Sequence, residues 1–302
     1  MKPTPLLYLS LFVLAGCTSS QPPVANWTPT TARPLAPAGQ SVSETLTAGN
    51  ASSPEAAGPA ITRASDDDSA ELAKLRELHD LAARRYAEIE DYICRFRRRE
   101  FIHGRQEPED LLEFRYRKQP ESMYFKWIGG TLVGREMVFV RGKYDDRLQI
   151  RTGSGDPISG FRLSLDPHSA RATANSRRTV DEAGVGNLIE QFGRLLNEHE
   201  KANGHGGQLR HLGPVERPES DAAMECVEQT ISPRTEKHLP RGGRRFWFFN
   251  QDPRTREYQL PMLIVTEDET GREVEYYCFD RMNTNVGLSL EEFDPERIWH
   301  RR

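Results

Sequence analysis

Long apolar runs are almost absent from this 302-residue chain. The longest, Leu6 to Ala15, has about ten residues, half of the roughly twenty that a membrane-spanning helix needs. A permanent helical span is thereby excluded. An excess of basic charge is missing too: 41 lysines and arginines face 45 aspartates and glutamates, for a formal charge of −4. Nucleic-acid binders carry a basic surplus, so no nucleic-acid partner is expected. Catalytic and cofactor signatures are also lacking. Gly184-Val185-Gly186 is without the third glycine of a dinucleotide fingerprint, because Ile189 stands where it would be. His199, His205 and His211 are spaced six apart across a glycine-rich stretch, which puts no two of them on one helical face as a zinc-protease motif requires. Gly153-Ser154-Gly155-Asp156 lacks the spacing and the preceding apolar strand of a nucleophile elbow. Acidic neighbours such as Glu291 and Glu292 occur in any chain this rich in carboxylates. No catalytic residue, metal or cofactor is expected, and an enzyme is the least favoured class.

What the chain does have begins at its amino terminus. Lys2, the short apolar core and the small residues ending in Leu14-Ala15-Gly16-Cys17 have the layout of a cleavable export signal. The run resembles the bacterial lipobox, with leucine three before the cysteine and small residues at the cut. That resemblance implies cleavage after Gly16 and lipid attachment at Cys17. From Thr18 to Ser65 proline, serine, threonine, alanine and glycine dominate, a composition too poor in large apolar groups to offset the entropy of ordering. The expected organisation is a signal peptide over 1–16, a lipidated cysteine and disordered tether over 17–65, and a single domain over 66–302. About fifty residues of coil give a typical reach of roughly 40 Å from the membrane. Thr18 is not the aspartate that resembles an inner-membrane retention signal, so the expected location is the cell envelope, at the outer membrane facing the periplasm.

The domain opens with a helix: Ser65 and three aspartates supply a cap and negative charge, and Leu72, Leu75, Leu78, Ala82, Tyr86 and Ile89 recur at helical spacing. From Tyr92 the period becomes two. Cys94 and Phe96 alternate with Arg95 and Arg97, and His103-Gly104 reads as a turn. Leu112, Phe114 and Tyr116 share one face of the next strand, and Met123, Phe125 and Trp127 one face of the strand after it. Arg95, Arg97 and Arg99 fall on a common strand face, expected to be a solvated outer face or, second, a contact for anionic headgroups. Further strands are read in "REMVFVRG", "RLQIR", "MECVEQTI", "RRFWFFN", "YQLPMLIVT" and "REVEYYCFD". Phe246 to Phe249 and Leu263 to Val265 are apolar on both faces and should be covered on both. A second helix, Asp181 to about Lys201 with Leu188, Ile189, Phe192, Leu195 and Leu196 inward, is the candidate cover. The order is helix, four or five strands, helix, then about five strands. Strands and helices do not alternate, which disfavours a parallel nucleotide-binding sheet.

Several stretches taken together carry a further resemblance: "DYIC" (Asp91 to Cys94), "RREF", "RKQPESMYFKW", "GREMVFVRG", "LDPHS" (Leu165 to Ser169), "TVDEAGVGNLIE" (Thr179 to Glu190) and "NTNVGLSLEEFD" (Asn283 to Asp294). On these, the chain from about Glu77 to Asp294 resembles an uncharacterised family of exported bacterial proteins, a domain of unknown function. That family is similar in fold to the LolA/LolB-like lipoprotein carriers and receptors and to sensor domains of envelope stress. The resemblance implies an α+β fold: a curved antiparallel sheet, an open half-barrel, with an N-terminal helix and a second helix covering the concave face. It also implies an apolar cleft for a lipid or lipoprotein acyl chain.

If the sheet curves so, Leu112, Phe114, Tyr116, Met123, Phe125 and Trp127 line that cleft. The alternative is a filled core in a non-catalytic protein-interaction or sensor domain. The expected partners are the membrane, through the lipid anchor, and an acyl-chain or lipoprotein ligand. Export places Cys94, Cys226 and Cys278 in an oxidising compartment. A bridge between Cys94 and Cys226 is the expected pairing, with Cys278 left as a thiol.

Overall fold

The computed structural model describes residues 66–202 and 209–300. The signal segment 1–16, Cys17 and the tether to residue 65 lie outside the described residues, as does His205. Helix α1 (Asp66–Ala87) leads into β1 (Asp91–Ile102), β2 (Arg105–Gln106), β3 (Asp110–Arg117), β4 (Ser122–Gly129), β5 (Glu136–Val140), β6 (Leu148–Arg151) and β7 (Arg162–Leu165). Helix α2 (Val185–Lys201) follows, then β8 (Leu209–Val215), β9 (Met224–Ile231), β10 (Gly243–Phe249), β11 (Pro261–Asp268), β12 (Glu273–Thr284) and the short α3 (Pro295–His300).

The strands form one antiparallel sheet in the order β7-β6-β5-β4-β3-β1-β12-β11-β10-β9-β8, with β2 paired to β1 alone. Edge strands β7 and β8 do not pair with each other, so the sheet is an open half-barrel. Its centre is the long β1–β12 pair, in which Tyr92 lies opposite Thr284 and Glu100 opposite Glu275. Alternation dictates the two faces. In β3, Asp110, Leu112, Phe114 and Tyr116 are buried while the residues between them are half-buried, the period-two pattern of a strand with one face on the core. His103 and Gly104 both have positive φ, 52° and 79°, as a two-residue hairpin between β1 and β2 requires.

Helix α2 lies in the concavity with Leu188, Ile189, Phe192 and Leu196 buried and Leu195 at the margin. The Phe192 ring packs 5.6 Å from Trp247 and 5.1 Å from Phe249. Helix α1 covers α2 in turn, burying Leu75, Leu78 and Ala82 and stacking His79 on Phe192. The α2 start is four residues later than the periodicity suggests. Val180–Glu182 is a 3-10 turn capped by Thr179, and Gly184, at φ 98°, then redirects the chain. A side chain at Gly184 would place its Cβ 3.0 Å from the Tyr92 hydroxyl, so helix and sheet approach there only without one.

The strands read as apolar on both faces are indeed covered on both. Trp247, Phe249 and Ile264 belong to the concave core, whereas Phe246, Phe248, Leu263 and Val265 form a separate cluster on the convex side. The second cover is not a helix. Arg217 lies 5.2 Å over the Phe248 ring and Glu219 accepts the Tyr276 hydroxyl at 2.9 Å, which places the segment after β8 over that cluster. The carboxyl-terminal segment covers the other convex half, packing Leu288, Phe293 and Trp299 on Tyr124, Val138 and Val140. It is pinned by Asp91, whose carboxylate accepts the N–H groups of Val286, Gly287 and Leu288 at 2.7–3.2 Å. Two of the stretches that carry the family resemblance, "DYIC" and the start of "NTNVGLSLEEFD", are thus one structural joint.

Two expectations are corrected here. Cys94, Cys226 and Cys278 are all free and buried. Cys94 lies in the concave core and Cys226 in the convex cluster, and their strands, β1 and β9, are four places apart. At ~4.8 Å per strand that is ~19 Å, far beyond the ~7 Å limit for a disulfide. Burial pushes the Cys226 and Cys278 thiols up to about 12, so they are neutral and inert thiols. Nor is the arginine face of β1 a free cationic strip. Arg95 makes a two-pronged bond to Asp280 at 2.6 Å on each arm, and Arg99 joins Glu273 and Glu109 while lying 3.8 Å over the Tyr276 ring. Asp280, Glu273 and Tyr276 come from β12 and Glu109 from just before β3, the two strands flanking β1, which sequence spacing does not reveal.

Candidate functional site

Between the concave face and the segment joining β7 to α2 lies a cavity of about 410 Å³, within the roughly 300–1,000 Å³ range of small-molecule sites. Its floor is apolar: Phe96 and Phe279 from the central pair, Leu112 from β3, Phe125 and Trp127 from β4. One wall consists of Met137, Leu148, Ile150, Leu163 and Leu165, the inward residues of β5, β6 and β7. Trp247, Ile264 and Leu188 close the opposite side. The roof is an irregular strap, residues 166–184, which contributes Pro167, Ala172, Val180, Ala183 and Gly184. The stretches "LDPHS" and "TVDEAGVGNLIE" form the two ends of that strap.

The strap is tethered rather than packed by an apolar stripe. Arg177 donates to Glu275 at 3.2 Å, to the Phe101 carbonyl at 3.3 Å and to the His238 carbonyl at 3.0 Å, while its own N–H reaches Glu100 at 3.1 Å. His103 bonds the Ala174 carbonyl at 2.9 Å. The strap is therefore held by polar contacts at one end of the sheet, and its apolar side chains face the cavity.

Of the six residues placed in the cleft by the sequence, Leu112, Phe125 and Trp127 line it. Phe114, Tyr116 and Met123 are fully or nearly fully buried in the adjoining core. There Tyr92 packs on both rings, 5.8 Å from Phe114 and 5.3 Å from Tyr116, and donates no space to a ligand because the Val185 N–H is bonded to its hydroxyl at 3.1 Å. The start of α2 plugs that end of the concavity. Phe125 connects the two regions by stacking on Phe114 at 4.6 Å.

The site has a polar pole that the sequence reading missed. Glu275 is 3% exposed and is surrounded by Arg177 at 3.2 Å, Arg245 at 3.4 Å and Arg178 at 3.5 Å, with the Thr266 hydroxyl donating at 2.7 Å. Burial opposes its charge, but the guanidinium groups of Arg178, Arg245 and Arg177 outweigh it and hold the carboxyl well below the usual carboxylate range. Arg245 is further fixed by both oxygens of Glu236, at 2.8 and 2.9 Å. Arg98 bonds Asp110 at 2.7 Å, and the Tyr277 hydroxyl donates to Glu100. Burial, reinforced by the Glu100 charge, drives the Tyr277 hydroxyl far above its ordinary value, so it remains a donor. Beyond this pole is a second, polar cavity of about 430 Å³ that shares Arg178, Glu182, Gln191 and Arg245 with the first. Among the described residues no cluster of side chains suits a metal ion, and no helix is long and apolar enough to cross a membrane.

The model of a family described as a protein of unknown function, DUF1571, matches residues 89–298. No curated protein matches the sequence. Among solved structures, an uncharacterized conserved protein from Thermus thermophilus is similar at 11% identity and a TM-score of 0.41, covering 73% of this chain and 92% of its own. The Mycobacterium tuberculosis lipoprotein LppX is similar at 11% identity and 0.40, covering 72% and 99%. A LolA superfamily protein from Nitrosomonas europaea is similar at 12% and 0.36, covering 74% and 98%.

Proposed function

The chain belongs to the DUF1571 family, and we propose that this member is a non-catalytic envelope lipoprotein whose domain binds an acyl chain in the cavity under the strap. The observation that carries the reading is the lining. A roofed space of about 410 Å³ is walled by Leu, Ile, Met, Phe and Trp side chains from nine strands, and a saturated chain gains ~0.8 kcal/mol for each methylene it buries there. The remaining concavity is filled by α2, so the filled-core alternative applies only to the half that holds Phe114, Tyr116 and Met123.

The test is a fluorescent fatty-acyl probe titrated into the mature chain beside Phe125→Ala and Trp127→Ala. The proposal predicts saturable uptake by the wild type. It further predicts weakened uptake by both variants, which remain folded because the lost rings border open space rather than a sealed core. If the wild type takes up no probe and both truncations simply cost the ~3–5 kcal/mol of a packed aromatic, the interaction-module reading replaces it.

Envelope location rests on Cys17. With Cys17→Ser the protein is expected in the soluble fraction after cell breakage, where the unaltered protein sediments with membranes; sedimentation of both would remove the anchor from the account.

A further inference from the structure

Five arginines line the apolar cavity, Arg98, Arg135, Arg171, Arg178 and Arg245. Only two carboxylates face them there, Asp156 and Glu182. Most of these cations are already committed. Arg135 is paired with Asp156, Arg98 with Asp110, and Arg245 with Glu236. Glu182 is turned back on the strap, its carboxylate accepting the Thr179 N–H at 2.9 Å.

Arg178 differs from these three paired arginines. Its one ionic contact runs from Nε to Glu275 at 3.5 Å, too long for a hydrogen bond of ordinary strength. Among the described residues no acceptor is bonded to its guanidinium, and the side chain is 26% exposed. The hydrogen bonds that Glu275 accepts come from Arg177, Arg245 and Thr266 instead. A guanidinium offers five donors in a planar fork suited to two oxygens at once. Here its two terminal nitrogens have none.

Its position is the second observation. Arg178 borders both the apolar cavity and the polar one. The polar cavity adds Arg177, Arg194, Lys237 and His238 on the basic side and Glu198, Glu236 and Glu275 on the acidic one, the last two being the carboxylates already bonded to Arg245 and Arg177. Burial, and then the charges of Arg177 and Lys237, hold His238 below the ordinary imidazole value. An amphiphile laid along the site would have its tail among Ile150, Leu163 and Trp127 and its head at Arg178.

Building on the acyl-chain reading, we infer that the ligand is an anionic amphiphile, an acyl chain ending in a carboxylate or phosphate, and that Arg178 is the residue that selects the charged head. A neutral ester or a glyceride of the same chain length offers the cavity the same methylenes but leaves that guanidinium unmatched.

The deciding experiment compares cis-parinaric acid with its methyl ester on the mature chain, wild type and Arg178→Ala. The wild type is expected to bind the acid about tenfold more tightly than the ester, the size of one charge-assisted hydrogen bond or more. Arg178→Ala should remove that preference, and Arg178→Lys should restore part of it. Displacing bound ester with palmitate and with lysophosphatidic acid then separates the two head chemistries: the stronger Arg178-dependent competitor identifies the head. Equal binding of acid and ester by the wild type overturns the inference and leaves the acyl-chain reading standing, and so does a preference that survives Arg178→Ala. Uptake of neither ligand overturns both. Since the acid-to-ester comparison is made on the wild type, it holds even if a variant fails to fold.

Discussion

Glu275→Ala is expected to destabilise the domain by ~3–5 kcal/mol, the cost of removing one partner from a buried ionic cluster. The carboxylate accepts from Arg177 and Arg245 and lies 3.5 Å from the Arg178 guanidinium. Without it, three guanidinium groups are left facing one another beneath the strap. Glu236 and Glu100 stay in place but are already bonded to Arg245 and Tyr277, so neither can substitute. Urea unfolding of the two proteins measures the difference, and a loss under ~1 kcal/mol would mean that water or a rotated side chain neutralises the cluster. The same group makes a pH prediction with a definite sign. Its folded pKa lies below its ordinary value of 4.5, so its contribution is complete above that value and is lost as pH falls towards the folded one. Acid destabilisation of the wild type should therefore be steeper below about 4.5 than that of Glu275→Gln.

The second large effect concerns the cavity. Leu163→Trp is expected to abolish acyl-probe uptake while leaving the melting transition nearly unchanged. Leu163 and Leu165 are half-buried on β7, an edge strand of four residues with alternate side chains turned inward. An indole at 163 extends into the cavity that Ile150 and Trp127 also line, and removes room that a chain needs. An edge strand with one neighbour can yield slightly, so the added volume costs little where a sealed core would resist it. Leu165→Trp should act in the same direction. Uptake that survives both substitutions would place the ligand elsewhere.

Much of the sheet is legible in the sequence because period-two patterning survives wherever one face is buried. Leu112-Phe114-Tyr116 and Met123-Phe125-Trp127 read directly as two faces, and His103-Gly104 as the turn. Strands β7 and β8 are not legible. "RLSL" offers only two inward leucines, and β8 carries Gly213 and Pro214, residues that mark a loop except on an edge, where β8 in fact lies. The disulfide expectation failed for a related reason: patterning marks the strands but not their order, and three strands lie between those of the two cysteines. Half of the candidate cleft residues line the cavity and half lie in core, since nothing in local spacing shows that Gly184 lets α2 settle on Tyr92 and Phe114. The strap has no period at all. Its arginines acquire meaning only when β10 and β12 bring Arg245 and Glu275 beneath them.

The acyl-chain reading is tested most directly by native mass spectrometry of the mature chain carrying Cys17→Ser, isolated from bacterial cells without detergent, beside the same chain with Leu163→Trp. The expected result is an ion of the Cys17→Ser chain heavier than the polypeptide by the mass of one acyl-bearing amphiphile, released on collisional activation, and an ion of the chain that also carries Leu163→Trp at the bare polypeptide mass. A bare polypeptide mass for both proteins would contradict it.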